Sequence, residues 1–388
     1  MNGPVQVVAD RFRKQFEGKP LLVVSPGRVN LIGEHTDYNE GFVLPGATDK
    51  AVALAVAPRA DTTCHFVSVD FDQEFRCELD ALHRSPLRWP DYLQGVIDQF
   101  LLAGHRIGGI NCVFGGDVPI GAGMSSSAAI EGGLAFALNA LFGLRLDDLN
   151  LVKLAQKAEN EFVGVRCGIM DMFINIHGRE RSVLKLDCRS LEFEHLPFER
   201  PDLRIVVADT LVRRELAGSE YNVRRGQCEA GVNVLRAHDP EIRSLRDVGL
   251  DLLGEHRDEF DPVVYRRCEY VVRENIRVAE AAAALLRNDF AAFGGLMNAS
   301  HAGLRDDYEV SSAELDALVE AARRVPGVLG SRMMGAGFGG CAISLVEADA
   351  VPEFEARVAR DYEAATGKAP KVHVIRIEAG TRAVVNAS

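Results

Sequence analysis

Three stretches of the chain concentrate side chains able to do chemistry. In Pro26–Pro45 (PGRVNLIGEHTDYNEGFVLP), Arg28, Asn30, Glu34, His35, Asp37 and Asn39 fall close together among turn formers. Carboxylates accept hydrogen bonds from paired hydroxyls, and imidazole and amide groups can donate or accept, so this set suits a hydroxyl-rich ligand. The plainer alternative is a solvated loop with a helix cap. In Pro119–Glu131 (PIGAGMSSSAAIE), glycines that let backbone approach a ligand lead into serines at the start of a predicted helix. The free N–H groups and positive end of such a helix form an anion site; the alternative is a simple serine N-cap. In Glu159–Gly178 (ENEFVGVRCGIMDMFINIHG), Asp171 sits between Met170 and Met172. A carboxylate in apolar surroundings is costly to bury and points to function. Glu159, near the end of a predicted helix, offers oxygen to a hard cation such as Mg²⁺, or is an ordinary surface glutamate. A second glycine-rich run, Met333–Cys341 (MMGAGFGGC), suggests close backbone packing on a ligand or another loop.

These groups need a scaffold, and periodicity supplies one. Apolar residues at helical spacing predict helices over Val5–Phe16, Trp89–Ala103, Ala128–Leu141, Asp147–Glu161, Glu215–Ala237, Val263–Leu286, Glu314–Ala322 and Pro352–Thr366. Strands are predicted at Leu21–Val24, ended by a turn at Ser25-Pro26-Gly27, then at Phe42–Leu44, Ala51–Ala57 (apolar on both faces), Thr62–Val69, Gln73–Leu79 and Ile110–Phe114. Further strands are predicted at Val183–Leu186, Ile205–Ala208, Cys341–Val346 and Val372–Ile377. Helices and strands interleave without a regular alternation, which favours α+β over a doubly wound sheet. The polar, proline-bearing stretch Glu192–Pro201 marks a boundary. It divides the chain into an N-terminal domain, 1–195, holding the first three motifs, and a C-terminal α+β domain, 196–388, whose final segment is a candidate to pack back on the first.

Composition narrows the chemistry. With 44 Lys and Arg against 56 Asp and Glu among 388 residues, the formal charge is −12. That excludes general binding to nucleic acid or an anionic membrane, which needs a basic face. Hydrophobic content of 47 % excludes a largely disordered chain. No apolar run reaches the ~18 residues of a spanning helix. The N-terminus lacks the apolar core of a signal peptide. No two of the eight cysteines lie closer than Cys64 and Cys77, so a CxxC pair or zinc ribbon does not fit. Reduced thiols in a cytoplasmic protein are expected. Neither GxxxxGK[ST] nor GxGxxG after a strand is present, which argues against a P-loop and a dinucleotide fold. No Lys or Arg occurs from Ile107 to Leu144. Phosphates bound there would be held by backbone amides, a helix end and a metal, with Arg28 arriving from elsewhere.

Taken together, GRVNLIGEHTDYN, PIGAGMSSSAAIE, CGIMDMFINIHG, LDCRSLE (186–192), SEYNVRRGQCE (219–229), LRDDYEVS (304–311) and MMGAGFGGC resemble, in this order, the GHMP small-molecule kinase family, most closely its galactokinase branch. The resemblance runs from about residue 5 to 378. It implies a two-lobed α+β fold with the site in the cleft between the lobes. It also implies ATP-dependent phosphorylation of the C1 hydroxyl of D-galactose, with Mg²⁺ as cofactor. By the same resemblance Asp171 is the catalytic carboxylate, and Arg28 beside it stabilises charge on the transferring phosphoryl group. Glu34, His35 and Asp37 bind sugar hydroxyls, and Gly168 and Tyr221 complete that pocket. Gly121, Ala122, Gly123, Met124, Ser125, Ser126 and Ser127 wrap the ATP phosphates, Trp89 lies near the adenine or packs in the core, and Ser127 and Glu159 hold the metal. The chain departs from the family pattern at Met172 (usually Gln), Arg214 (usually His) and Met334 (usually Thr). A kinase of a related sugar therefore stays open, as does a sugar sensor without turnover. The complete Ser125–Ala129 loop and Asp171 speak against the sensor.

Overall fold

A computed structural model describes residues 3–119, 121–212 and 217–384. In chain order the elements are α1 (Pro4–Gln15), β1 (Leu21–Asn30), β2 (Phe42–Val43), β3 (Pro45–Pro58), β4 (Thr63–Ser68), β5 (Gln73–Glu78), α2 (Trp89–Leu102), β6 (Ile110–Gly116), α3 (Ser126–Leu141), α4 (Asp148–Lys157) and α5 (Met170–His177). They continue with β7 (Ser182–Asp187), β8 (Phe193–Pro197), β9 (Leu203–Asp209), α6 (Ala217–Arg236), α7 (Leu250–Glu255), α8 (Pro262–Leu286), α9 (Phe290–Asp306) and α10 (Ala313–Arg323). The chain closes with β10 (Val328–Met334), β11 (Cys341–Glu347), α11 (Val351–Thr366), β12 (Lys371–Ile375) and β13 (Arg382–Ala383).

Two sheets organise the α+β fold. The first runs β13-β1-β3-β6-β4-β5, antiparallel except where β4 meets β6. Strand β3 shows why it is covered on both sides. Val52, Leu54 and Val56 face the main core with α2 and α3, while the alternating Ala53, Ala55 and Ala57 meet Val8, Ala9 and Phe12 of α1. The second sheet, β10-β11-β9-β12, is likewise two-faced: Ile205 and Val207 join the main core, and Val206 and Ala208 pack on α10 and α11. A small sheet, β2-β7-β8, lies between. The end of the chain returns to the first sheet, where β13 pairs with β1 and Ile377 bridges to Thr48.

The structure changes or extends four local readings. The Ser25-Pro26-Gly27 turn is no turn: β1 continues to Asn30, with a register shift between Pro26 and Arg28. A bulge there re-aims Arg28 without ending the strand. The stretch Glu192–Pro201, read as a boundary, also carries a strand: Phe193–Pro197 pairs with β7 as β8. Helix α9 was hidden by Gly294 and Gly295, poor helix formers. A Cβ on Gly294 would stand 2.1 Å from the Leu329 carbonyl oxygen, so glycine is what lets α9 lie against β10. Strand β10, finally, precedes the glycine-rich run Met333–Cys341 and takes in its first two residues.

Candidate active site

The bulge in β1 aims Arg28 inward, where it is buried. Its Nε donates to Asp171 Oδ1 at 2.8 Å and its Nη2 to Oδ2 at 2.9 Å, a two-point ion pair. Its Nη1 donates to the Gly123 carbonyl. Burial opposes charge on Arg28, but Asp171 and Glu34 more than offset it and raise its pKa. Asp171 stands in the first turn of α5, where the helix dipole favours an anion. Ser125 also donates to its Oδ2. A carboxylate accepts about four hydrogen bonds, so these three leave one acceptor position.

Ser125 overturns the simple N-cap reading. It occupies the N-cap of α3 with left-handed backbone, φ 56°, and makes no side-chain cap bond. Its hydroxyl serves Asp171 instead. Two glycine-rich loops then meet. Gly123 (φ 79°) and Gly335 (φ 84°) lie so close that a Cβ on Gly335 would sit 3.3 Å from the Gly123 Cα.

Two cavities open on either side of the Arg28–Asp171 pair. The smaller, about 250 Å³, is lined by Arg28, Glu34, His35, Asp37, Glu159, Cys167, Gly168, Asp171 and Tyr221, with Gly335 and Ala336. The larger, about 490 Å³, is lined by Trp89, Tyr92, Phe114, Gly121, Gly123, Met124, Ser125, Ser126, Ser127 and Ile130, among others. Arg28, Asp171, Gly335 and Ala336 border both. Ala122 is fully buried and lines neither. Trp89 does two jobs: its indole N–H donates to Gln73 at 2.8 Å, its ring packs near Phe75 and Phe114, and one edge faces the larger cavity.

In the smaller cavity Glu34, His35 and Asp37 are held by hydrogen bonds. Glu34 accepts from the Gly335 N–H at 2.9 Å, Arg332 at 3.2 Å and Asn30 at 3.1 Å. Arg332, fully buried, also donates to the carbonyls of Leu31 and Met333, at 2.8 and 2.7 Å, and to that of Asn30. His35 is driven by burial to a pKa of about 3 and is neutral near pH 7. Its Nε2 faces the Ala336 carbonyl at 3.3 Å, an acceptor only, so that nitrogen carries the proton. Nδ1 therefore accepts from the Tyr38 hydroxyl at 2.8 Å. The Tyr38 oxygen in turn accepts from Tyr308 at 2.7 Å, and Tyr308 from the Cys228 thiol at 3.2 Å. Asp37 is pushed up to about 7, first by burial and then by the charge of Asp171. Gly168 lies against it, and a Cβ there would stand 1.9 Å from Asp37 Oδ2.

Glu159 lies where α4 gives way to a π-helical turn, Ala158–Val163, rather than in a continuous helix. Burial, then the charge of Asp171, pushes it up to about 7, while hydrogen bonding with Glu131, then with Ser127 and Cys167, opposes the shift. Beside it Glu131 is fully buried, its pKa raised by burial and by Glu159, and among the described residues no other group bonds its carboxylate oxygens.

Sequence reasoning named neither Arg332, Glu131, Ala336 nor the Tyr38–Tyr308–Cys228 chain as part of the site. Glu131 carried a signal, since it lies four residues after Ser127 on α3 and so on the same helix face. Arg332 precedes the glycine run, and nothing in its neighbourhood marks it as buried. Arg214 lies outside the described residues, as does Ile120 in the phosphate-loop motif. Met172 is fully buried, and Met334 nearly so.

Comparison with known proteins agrees with this geometry. Residues 10–58 match the galactokinase galactose-binding signature, 91–179 the GHMP kinases N terminal domain and 281–364 the GHMP kinases C terminal family. The chain is 44 % identical over 378 residues to a galactokinase of Roseiflexus sp., covering 97 % of this chain and 96 % of that one. It is 43 % identical to a galactokinase of Chloroflexus aggregans, with 96 % of each covered. The crystal structure of Lactococcus lactis galactokinase complexed with galactose superposes with a TM-score of 0.94 at 35 % identity, covering 98 % of this chain and 99 % of that one. The mevalonate kinase of Methanococcus jannaschii shares the fold, with a TM-score of 0.64 at 16 % identity over 93 % of this chain and 99 % of its own. The chain belongs to the galactokinase family of the GHMP kinases.

Proposed function

We propose that the protein transfers the γ-phosphoryl group of ATP to the C1 hydroxyl of D-galactose, yielding galactose 1-phosphate, the step that commits galactose to catabolism. The observation that carries this reading is the pair of cavities meeting at Arg28 and Asp171. One is small and lined by hydrogen-bonding side chains. The other is larger, more apolar, and walled by backbone and a helix start. Phosphoryl transfer asks mainly for alignment and charge neutralisation, which this arrangement supplies.

Glu34, His35, Asp37, Gly168 and Tyr221 hold the sugar and turn its C1 hydroxyl toward Asp171. The remaining acceptor position of Asp171 takes that hydroxyl's hydrogen bond, orienting it and receiving the proton as the new P–O bond forms. Arg28 fixes the carboxylate and adds positive charge where the phosphoryl group crosses. Gly121–Ser127 and the N–H groups opening α3 cradle the phosphates, and Trp89 borders the base.

A divalent cation fits the residues present. Glu159, Ser127 and the orphaned Glu131 carboxylate form an oxygen-only set, which suits Mg²⁺. Ser127 and Glu159 would hold it, and when bound it neutralises phosphate charge that this lysine-free loop cannot. An acidic chain in which no described helix is long and apolar enough to cross a membrane fits a cytoplasmic enzyme.

The test is a coupled assay with MgATP and a panel of sugars. Galactose should give ADP release and an acid-labile 1-phosphate. Turnover of N-acetylgalactosamine or arabinose in preference to galactose would move the assignment to a related sugar kinase, and tight binding of both ligands without turnover would make the protein a sensor.

A further inference from the structure

Away from both cavities, three side chains from two segments converge on one point. His238 follows the end of α6, His256 caps α7, and Glu259 lies in the short turn before α8. The His238 Nε2 is 2.7 Å from one Glu259 oxygen and the His256 Nδ1 is 2.9 Å from the other. The two rings stack with centroids 3.8 Å apart, and all three candidate ligand atoms lie within 4.8 Å of one another. The backbone fixes the pair His256 and Glu259, because the Glu259 N–H donates to the His256 carbonyl at 2.9 Å. The nearest cation in sequence, Arg257, is drawn away and lies 4.9 Å from the centre of the Tyr265 ring.

From this convergence we infer that His238, His256 and Glu259 form a surface site for a transition metal of the Zn²⁺ type, unrelated to the Mg²⁺ of phosphoryl transfer. Two imidazoles and one carboxylate are a ligand set that Zn²⁺ accepts, with water as the fourth ligand. Metal–ligand bonds of about 2.0–2.1 Å in a tetrahedron put neighbouring donors about 3.3 Å apart. The two histidine–glutamate pairs are slightly closer than that, and side-chain rotation opens them. The metal binds the two ring nitrogens that face Glu259, and each neutral ring then carries its single N–H proton on the other nitrogen, moved there by tautomer exchange through solvent. Magnesium does not compete, since it prefers oxygen ligands. None of the three residues lines either cavity, so the site acts on the scaffold. It clips the far end of α6, the helix that brings Tyr221 to the smaller cavity, to the α7–α8 connection.

The test uses the full chain, stripped with EDTA and titrated with Zn²⁺ against a chromogenic chelator. One equivalent should bind in the micromolar range, and the melting midpoint should rise by several degrees at about a hundredfold excess over Kd. H238A, H256A and E259Q should each weaken binding by at least about tenfold while melting like the parent in EDTA. Co²⁺ in place of Zn²⁺ should show the visible bands of a tetrahedral nitrogen–oxygen site, a readout that needs no variant. Absence of stoichiometric binding, binding indifferent to both histidine variants, or a thiolate-to-cobalt band that places the metal on cysteine would each overturn the assignment.

Discussion

The two cavities that share Asp171 solve opposite problems with opposite means. The smaller, the proposed site of a neutral sugar, is lined by Arg28, Glu34, Asp37, Glu159 and Asp171. The larger, the proposed site of the triphosphate, has Arg28 and Arg88 on its wall, yet its loop from Gly121 to Ser127 holds no charged side chain. A sugar has no charge to be found by, so selectivity comes from fixed hydrogen-bonding groups that penalise a wrong hydroxyl. A triphosphate needs no such detail, and backbone amides at a helix start hold it without fixing register through long side chains. On the proposed reading, charged side chains serve specificity at one end, while at the other the loop's main chain and a cation meet the polyanion, with Arg28 and Arg88 on the wall.

The sharpest break falls at the shared wall. Asp171→Asn keeps the shape but loses the anion that meets Arg28 and the C1 hydroxyl. Turnover should fall by roughly 10³-fold, the middle of the range for loss of a general base. ATP binding by calorimetry should change little, because the phosphate cradle is backbone. Turnover within tenfold of the parent would remove Asp171 from the reaction.

The second break is electrostatic. Asp37 is raised from 3.8 to about 7 in the ligand-free fold, so between those values the folded state binds a proton that the unfolded chain has released. Stability should fall as pH rises through that window, by on the order of 2–4 kcal/mol for this group. Two neighbours titrate in the same window: Glu159, raised to about 7, adds a decline of the same sign, whereas His35, lowered to about 3, contributes stability that rises with pH up to its ordinary value of 6.5. Urea unfolding of parent and Asp37→Asn from pH 4 to 7.5 isolates this group: relative to the variant, the parent should lose stability as pH rises, and Asp37→Asn should be the more stable protein above pH 7. An identical slope in both proteins would show that Asp37 does not carry the strain.

Two glycines let the ends be perturbed separately. Alanine at Gly168 drives a Cβ into Asp37 and should raise the KM for galactose roughly 10- to 100-fold, the kinetic equivalent of 1–3 kcal/mol of overpacking. Alanine at Gly123 meets a φ of 79° and the Met334 carbonyl at 3.2 Å, and should raise the KM for ATP about fivefold. The division of labour predicts little crossing between the two. Equal effects on both substrates from either variant would mean that the loops move as one body.

How much of this was legible in the chain differs by region for a physical reason. The sugar segment and the phosphate loop are local, so their residues announce themselves by type and spacing. The strands of the first sheet were legible because period two survives in β3 even with both faces buried. What escaped depended on contacts distant in sequence. Arg332 meets Glu34 and the Leu31 carbonyl across roughly three hundred residues, and no local pattern encodes that. Helix α9 escaped because packing against β10 outweighed the propensity of Gly294. Strand β8 within Glu192–Pro201 escaped because polarity describes an exposed edge strand as well as it describes a boundary.

The finest test concerns a residue that touches no substrate. Tyr38 donates to His35 Nδ1, and through Tyr308 and Cys228 the chain of hydrogen bonds ends inside a closed core. Tyr38→Phe keeps the ring and its packing but leaves Nδ1 without a donor. The neutral imidazole can then exchange which nitrogen carries its proton, so the face it offers the sugar is no longer unique. The net value of one such bond, about 1 kcal/mol, predicts a rise of about fivefold in the KM for galactose, with kcat and the KM for ATP nearly unchanged. A merely structural role would lower the melting temperature and leave that ratio alone. An effect confined to galactose therefore means that the small cavity's selectivity rests on buried donors behind it, for which the backbone-lined cavity has no counterpart.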